Sequence, residues 1–127
     1  MEVQLFRLLT KFHLADIVAP IDYLTIHEIV GSYAIESGLQ VSPDISGDDF
    51  FNRLATAAAF RWGILIELTL SAISFAAIKG DLTLERDHFG NAWVDKTEIH
   101  ALASPFIHDG YQTMYRRDRP FQLYVPV

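Results

Sequence analysis

The chain has 127 residues, of which 50% are hydrophobic, and it carries a formal net charge of -6 at pH 7. This length fits a single domain, and the apolar fraction excludes intrinsic disorder, which requires low hydrophobicity. This negative net charge disfavours a protein that binds nucleic acid mainly through an overall positive charge. The absence of cysteine excludes a disulfide framework and a thiolate metal site, and it is compatible with a reducing, cytoplasmic location. We therefore expect one acidic, apolar domain over residues 1–127.

A capping-box pattern opens the first predicted helix, with Thr25 as N-cap and Glu28 three residues later. Apolar residues at helical spacing continue this helix to Ser37, and Gly38 would end it in the left-handed conformation that glycine favours. Composition then predicts a loop over residues 39–47.

The second and third predicted helices flank a break at residues 60–63. Asp48 and Asp49 start the second helix, where their charges favour the positive end of the helix dipole. The third helix runs from residue 62 to about residue 79 and is stopped by Gly80. Because it is apolar almost all round, we expect it to be the central buried helix.

This apolar segment also raises the question of a membrane span. Trp62 to Ile78 lies at the lower edge of the length that crosses a bilayer, and Glu67 near its middle would be costly there. Arg61 and Lys79 flank both ends, so no positive-inside asymmetry appears. The sequence favours a core helix, and no membrane association is expected.

The last predicted helix covers residues 84–95, with Thr83 as its N-cap. Its inward-facing positions are Leu84, His88, Phe89, Ala92 and Trp93. Pro105 interrupts any further helix, and residues 107–127 form a tail. The fold class is therefore all-α, a compact bundle of about four to five helices with irregular or extended ends.

No self-sufficient catalytic or metal-binding set is found in the sequence. There is no Walker-type phosphate loop, and no two histidines have the i, i+4 spacing of helical metal ligands. Three candidate nucleophiles, Ser46, Ser71 and Ser74, lack a recognisable base. We expect neither catalytic residues nor a metal site in this chain, and no cofactor bound by this chain alone.

Arg61 is the most informative charged residue, because it stands between two apolar segments at the start of the third helix. An arginine there must be paired or exposed, since burying it alone is costly. A structural pairing is one interpretation, and its candidate partners are Glu67, Asp48 and Asp49. The other interpretation is a cation left for an anionic partner, because a guanidinium fork suits both phosphate and carboxylate.

A basic cluster near the C-terminus contains Arg116, Arg117 and Arg119. One interpretation is a solvated tail, and the other is a contact for nucleic acid or an acidic partner.

The order of several short patterns carries a resemblance to a known family. They are Asp48 to Ala57, Phe60-Arg61-Trp62-Gly63, Ile66-Glu67-Leu68, Ala72, Ala76, Gly80 to Glu85, His88-Phe89, Ala92-Trp93 and Ser104-Pro105-Phe106. This order resembles the C-terminal helical lid of AAA+ ATPases of the TniB and TnsC kind, which are ATP-dependent regulators of transposition related to the IstB and MuB helper proteins. The resemblance covers about residues 22–106.

The resemblance implies that Met1 marks a fragment boundary and that the parent protein has an upstream ATPase core, which binds ATP and Mg. Arg61 matches the sensor 2 position, from which many lids reach the γ-phosphate of the nucleotide. Implied partners are that core, neighbouring protomers in an oligomer and a transposase, with DNA contacted only through the full-length protein. Family members often have glycines just before this arginine, whereas this chain has Ala58-Ala59-Phe60.

Two other functions remain open from the sequence. A standalone helical interaction module, such as an adaptor or inhibitor, fits the missing catalytic set and the apolar ends. A small nucleic-acid-binding domain would use Arg116, Arg117 and Arg119, and it ranks last because of the net acidity.

Overall fold

The computed structural model describes residues 16–99 and 101–115, which form a mostly helical unit. The elements in chain order are α1 (Tyr23–Glu36), β1 (Gln40–Val41), a 3-10 turn (Pro43–Ile45), α2 (Asp48–Ala57), α3 (Trp62–Lys79), β2 (Thr83–Leu84), α4 (Arg86–Thr97), a second 3-10 turn (Ala101–Ala103) and the single-turn α5 (Tyr111–Met114). The all-α prediction of four to five helices is confirmed. The apolar terminal segments of the sequence lie outside the described residues.

Helices α1 and α3 end in the same way, with two backbone hydrogen bonds that reach back over the last turn. After α1 the amide of Leu39 donates to Ala34 O, and after α3 the amide of Asp81 donates to Ala76 O. At both ends a glycine has a left-handed backbone, with φ of 79° at Gly38 and 75° at Gly80. These are Schellman motifs, and the two predicted glycine stops are confirmed.

The two strands pair in parallel, with Gln40 opposite Thr83 and Val41 opposite Leu84. Sequence analysis missed them, because a strand of two residues has no alternation to detect. Residues 39–47 are therefore not purely a loop. The ladder places the C-terminal ends of α1 and α3 beside each other.

Two predicted helix starts are wrong. Helix α1 begins at Tyr23, so Thr25 lies within its first turn, and the carboxylate of Asp22 accepts from the amide of Val18 at 2.8 Å instead of capping the helix. Thr83 belongs to β2, and Glu85 is the N-cap of α4. Both errors arose because a threonine fitted the cap pattern, whereas α1 begins directly after the local turn that joins Val18 to Asp22, and Thr83 pairs with Gln40 in the ladder.

The centre of the core is aromatic and joins three parts of the chain. The ring of Phe50 in α2 lies 5.0 Å from that of Phe89 in α4 and 5.8 Å from that of Phe106, centroid to centroid. All three rings are at most 2% exposed. Offset and edge-on contacts at these distances stabilise a core beyond the area they bury.

Helix α2 is more buried than α3, contrary to the expectation that α3 is the central buried helix. Seven of the ten residues of α2 are buried, against seven of the eighteen in α3. Leu70 and Ile78 are among the apolar α3 side chains that face outward. By length and composition α3 is the one helix in the described part of the chain that could cross a membrane, a test that core helices of soluble proteins also pass.

Candidate functional site

Arg61 lies at the junction between α2 and α3, where it is the N-cap residue of α3. Its backbone forms an antiparallel bridge with Asp16, and its carbonyl accepts from the amide of Leu65 at 3.1 Å. Its side chain is exposed, and it makes no ion pair with any carboxylate of residues 16–99 and 101–115. The guanidinium thus has no carboxylate partner among the residues that the structure describes.

The structural pairing considered for Arg61 is wrong, because two of its candidate partners have other cations. Glu67 accepts from Lys96 Nζ at 2.7 Å, and Asp49 accepts from Arg53 Nε at 2.9 Å. The third candidate, Asp48, is exposed at the first turn of α2. Of the two interpretations that the sequence left open, the exposed, unpaired cation is therefore the one that agrees with residues 16–99 and 101–115.

The turn before Arg61 has an unusual backbone. Ala59 and Phe60 have φ of 52° and 59°, the left-handed region that glycine favours. The amide of Phe60 donates to Ala55 O at 2.8 Å and that of Ala59 to Thr56 O at 3.0 Å, so α2 ends in a Schellman motif without glycine. A left-handed residue with a Cβ costs roughly 1–2 kcal/mol. This turn sets the direction in which the chain enters α3.

Arg53, one turn before the end of α2, is a buried cation that sequence analysis did not single out. It is only 7% exposed. Its Nε donates to Asp49 Oδ2 at 2.9 Å and its Nη2 to Asp109 Oδ1 at 3.0 Å. Burial opposes the charge, but the hydrogen bonds to Asp49 and Asp109 outweigh it and raise the pKa of Arg53 above its usual value.

The same guanidinium binds the backbone of the C-terminal segment. Arg53 Nη1 donates to Pro105 O at 3.0 Å and to His108 O at 3.2 Å, and Cζ lies 4.7 Å from the centroid of the Tyr111 ring. Because carboxylates and backbone carbonyls accept hydrogen bonds from both sides of its guanidinium, Arg53 fastens residues 105–111 to α2 and is not free for a ligand. Only the i, i+4 spacing from Asp49 was visible in the sequence.

A second polar group links the end of α3 to the start of α4. His88 is 1% exposed, and its Nδ1 accepts from the amide of Glu85 at 2.9 Å. Its Nε2 therefore carries the proton and donates to Asp81 Oδ2 at 2.8 Å. The bond from His88 lowers the pKa of the Asp81 carboxyl, and nearby Lys79 adds to the shift. Because both ring nitrogens are used, His88 orients α4 and is not a general base.

The candidate nucleophiles do not meet a base in the described part of the chain. Ser46 Oγ donates to Ser42 O at 3.1 Å, and Ser74 Oγ donates to Leu70 O at 3.1 Å. Within residues 16–99 and 101–115, no three His, Asp or Glu side chains converge as metal ligands. Arg116, Arg117 and Arg119 lie outside the described residues, so the basic-cluster interpretation stays a prediction.

A cleft of about 180 Å³ lies between the C-terminal end of α3, the first half of α4 and residues 101–107. Its lining residues are Lys79, Arg86, Asp87, Gly90, Asn91, Ala101, Ser104, Phe106 and Ile107. Sequence analysis did not predict it, because its residues come from three separate segments with no shared motif.

Comparison with protein-family models, with curated proteins and with solved structures found no significant match to the chain.

Proposed function

We propose that this chain is a lid domain of a AAA+ ATPase that regulates transposition, and that Arg61 is its nucleotide-contacting cation. In this role the lid couples the nucleotide state to contacts with the ATPase core, with neighbouring protomers and with a transposase. ATP and Mg would be bound by the core. This chain would contribute a charge that stabilises the γ-phosphate as the lid closes.

The observation that carries the proposal is the contrast between Arg61 and the cations that are paired with carboxylates. Arg53, Arg86 and Lys96 each pair with a carboxylate of the described chain. Arg61 is exposed and makes no such pair in this part of the chain. It also precedes an eighteen-residue helix whose first turn has no side-chain cap, so the helix dipole and the guanidinium favour an anion at the same place.

The backbone before Arg61 supports the proposal as well. The resembled family often has glycines at this place, and here Ala59 and Phe60 hold the left-handed backbone that glycine would adopt without strain. The difference in residue type therefore leaves a glycine-like turn. Backbone strain of this kind is concentrated at functional sites, where the surrounding structure maintains it.

The test begins with the reading frame that encodes these residues and measures ATP hydrolysis by its full product. We expect a Walker-type phosphate loop upstream of residue 1 in the same polypeptide. Arg61→Ala should lower kcat by about 100-fold, the usual loss when one transition-state donor is removed. Arg61→Lys should recover part of this rate, and Lys96→Ala, which removes a cation paired with Glu67, should retain it.

Two results would overturn the proposal. One is a reading frame with no phosphate loop in the same polypeptide. The other is an Arg61→Ala protein that hydrolyses ATP as fast as the Lys96→Ala control.

A standalone interaction module is the second candidate, and exposed apolar side chains favour it. Ile21 is 79% exposed, Ile78 83% and Leu82 78%, and large apolar side chains left in water are the kind of surface that a partner covers. This function predicts a homodimer or a stable complex with a partner. Strictly monomeric behaviour in light scattering, with no partner recovered in a pulldown, would count against it.

A further inference from the structure

We propose that the N-terminal segment, residues 1–15, docks as an antiparallel helix on the outward face of the first half of α3. These residues lie outside the part of the chain that the structure describes. The grounds are their sequence, the place where the described chain begins and the surface that α3 exposes there. The docking is independent of the lid function and of any contact that Arg61 makes with a nucleotide.

The outward face of α3 is poor in charge for a helix surface in contact with water. From Trp62 to Ile78 the sequence contains one charged residue, Glu67, and its carboxylate pairs with Lys96 Nζ at 2.7 Å. Leu70, one turn after Glu67, is 44% exposed. A helix face that borders water normally carries charged and polar side chains. This face therefore suits contact with another apolar element.

Two small residues let a second helix approach this face closely. A Cβ added at Gly63 would meet no atom within 4 Å, so there is open space beside its backbone. Ser74 Oγ donates to Leu70 O at 3.1 Å, so its proton already has an acceptor within the helix. Covering Ser74 therefore leaves no donor unpaired, which would be the main cost of burying a hydroxyl group.

The described chain begins beside the start of α3. Asp16 forms an antiparallel bridge with Arg61, the residue that precedes α3. In an antiparallel pairing the residue before one partner lies next to the residue after the other, so the chain before Asp16 leaves the bridge towards α3. Residues 13–15 can span about 10 Å, which matches the 8–10 Å between the axes of packed helices.

The sequence of residues 3–12 has the pattern of an amphipathic helix. Its apolar stripe, with the spacing i, i+3, i+4 and i+7, consists of Leu5, Leu8, Leu9 and Phe12. A helix of this length would be about 15 Å long, and it is marginal in water on its own. The stripe therefore needs a surface to cover, and α3 is the surface towards which the chain leads.

The spacing of the two faces matches when the helices run in opposite directions. Starting from the bridge, both faces have a step of three residues followed by a step of four. Three pairs then face each other, namely Phe12 with Gly63, Leu9 with Ile66, and Leu5 with Leu70. The largest side chain of the stripe thus meets the open space at the glycine. Large residues facing small ones are the arrangement that lets helices interdigitate.

Electrostatics favour this segment over a second copy of the domain. Residues 16–115 contain far more Asp and Glu than Lys and Arg, so two such surfaces repel each other. Residues 1–15 contain Arg7 and Lys11 against Glu2. The segment is thus weakly positive, and its covalent attachment gives it a high effective concentration at α3.

The test uses the full chain, which has no natural cysteine. The pair Leu5→Cys with Leu70→Cys should form an intramolecular disulfide under mild oxidation, because docking brings the two Cβ atoms to the roughly 4 Å that the bond requires. The matched control combines Leu5→Cys with Ile78→Cys, since Ile78 is exposed on α3 but lies about 12 Å further along it. We expect the first pair to close at least about 10-fold faster on non-reducing gels.

A second set of variants tests whether the apolar stripe drives the docking. In the first cysteine pair, Leu9→Asp should slow closure at least about 5-fold, because docking would take its carboxylate out of water. Thr10→Asp adds the same charge on the opposite side of the predicted helix and should close within about 2-fold of the parent pair. Circular dichroism spectra of all variants check that the helical fold is retained.

Three outcomes would overturn the proposal. Equal rates for the two cysteine pairs would show that the segment does not prefer the first half of α3. A disulfide that forms only between two molecules, seen as a dimer on the gel, would assign the face to a second copy. Equal slowing by Leu9→Asp and Thr10→Asp would show that added charge, and not loss of the apolar stripe, changes the rate.

Discussion

Arg53 and Arg61 are the same residue type on opposite sides of the turn that ends α2, and their environments are opposite. Arg53 is buried and satisfied by two carboxylates and two backbone carbonyls. Arg61 is exposed and makes no ion pair within residues 16–99 and 101–115. The role of each arginine therefore follows from the acceptors that the fold brings to it. An arginine with a full set of internal acceptors is structural, and an exposed one without them is a candidate for ligand binding.

Replacing Arg53 should give the largest effect on stability. Arg53→Ala leaves the buried carbonyl of Pro105 without its donor and removes the link between α2 and residues 105–111. We expect the free energy of unfolding to fall by about 3 kcal/mol, measured by urea denaturation. Arg61→Ala is the matched control and should change it by less than about 0.5 kcal/mol. Similar losses for the two variants would show that the internal contacts of Arg53 do not stabilise the fold.

Tyr115 follows the segment that Arg53 fastens, and its ring lies against Trp93 of α4, so its titration gives a spectroscopic measure of how the chain after that segment packs. Burial raises the pKa of Tyr115 to about 12, and its hydroxyl donates to Ala103 O. Because the folded state favours the neutral phenol, this stabilisation is complete below about pH 10 and is lost as the pH rises towards 12. Phenolate absorbance, taken as the difference from Tyr115→Phe, should therefore show a midpoint near pH 12.

In the Arg53→Ala variant the same midpoint should move down towards 10, the ordinary value for tyrosine, because releasing residues 105–111 from α2 loosens the chain that carries Tyr115. A midpoint that stays near 12 would show that the packing of Tyr115 does not depend on Arg53. The Arg61→Ala protein, as the control, should titrate like the unmodified chain.

The turn between the two arginines should give the smallest effect, and a favourable one. Ala59→Gly relieves a left-handed backbone and should raise the free energy of unfolding by about 1 kcal/mol. Ala58→Gly is the matched control, because Ala58 has an ordinary φ of -86° and should lose about 0.5–1 kcal/mol. Thermal unfolding of both variants measures the difference. If both variants were destabilised equally, the backbone at Ala59 would not be strained.

Much of the fold could be predicted from local patterns. Gly38 and Gly80 marked two helix ends, and the two aspartates at the start of α2 marked its beginning, because caps and stops depend on neighbouring residues. The parallel ladder could not be predicted, since two-residue strands have no periodicity. The third Schellman ending could not be predicted either, because alanine at Ala59 does not indicate a left-handed backbone.

The candidate sites were harder to predict than the fold. Arg61 stood out because a charge between apolar segments must be paired or exposed, but only the structure decides which. Arg53 resembled an ordinary surface arginine, since Pro105, His108 and Asp109 are distant in sequence. The cleft around Arg86 and Asn91 depends on three segments that meet only in the folded chain.

The parallel ladder between β1 and β2 has a consequence for how the chain assembles. It joins residues about forty positions apart, so the entropy of closing the intervening loop opposes it until α2 and α3 have packed. The ladder should therefore form late in folding. Two of its cross-strand donors, the amides of Gln40 and Ser42, should exchange with solvent only when the whole domain opens, even though they lie in or next to the shortest elements of the fold.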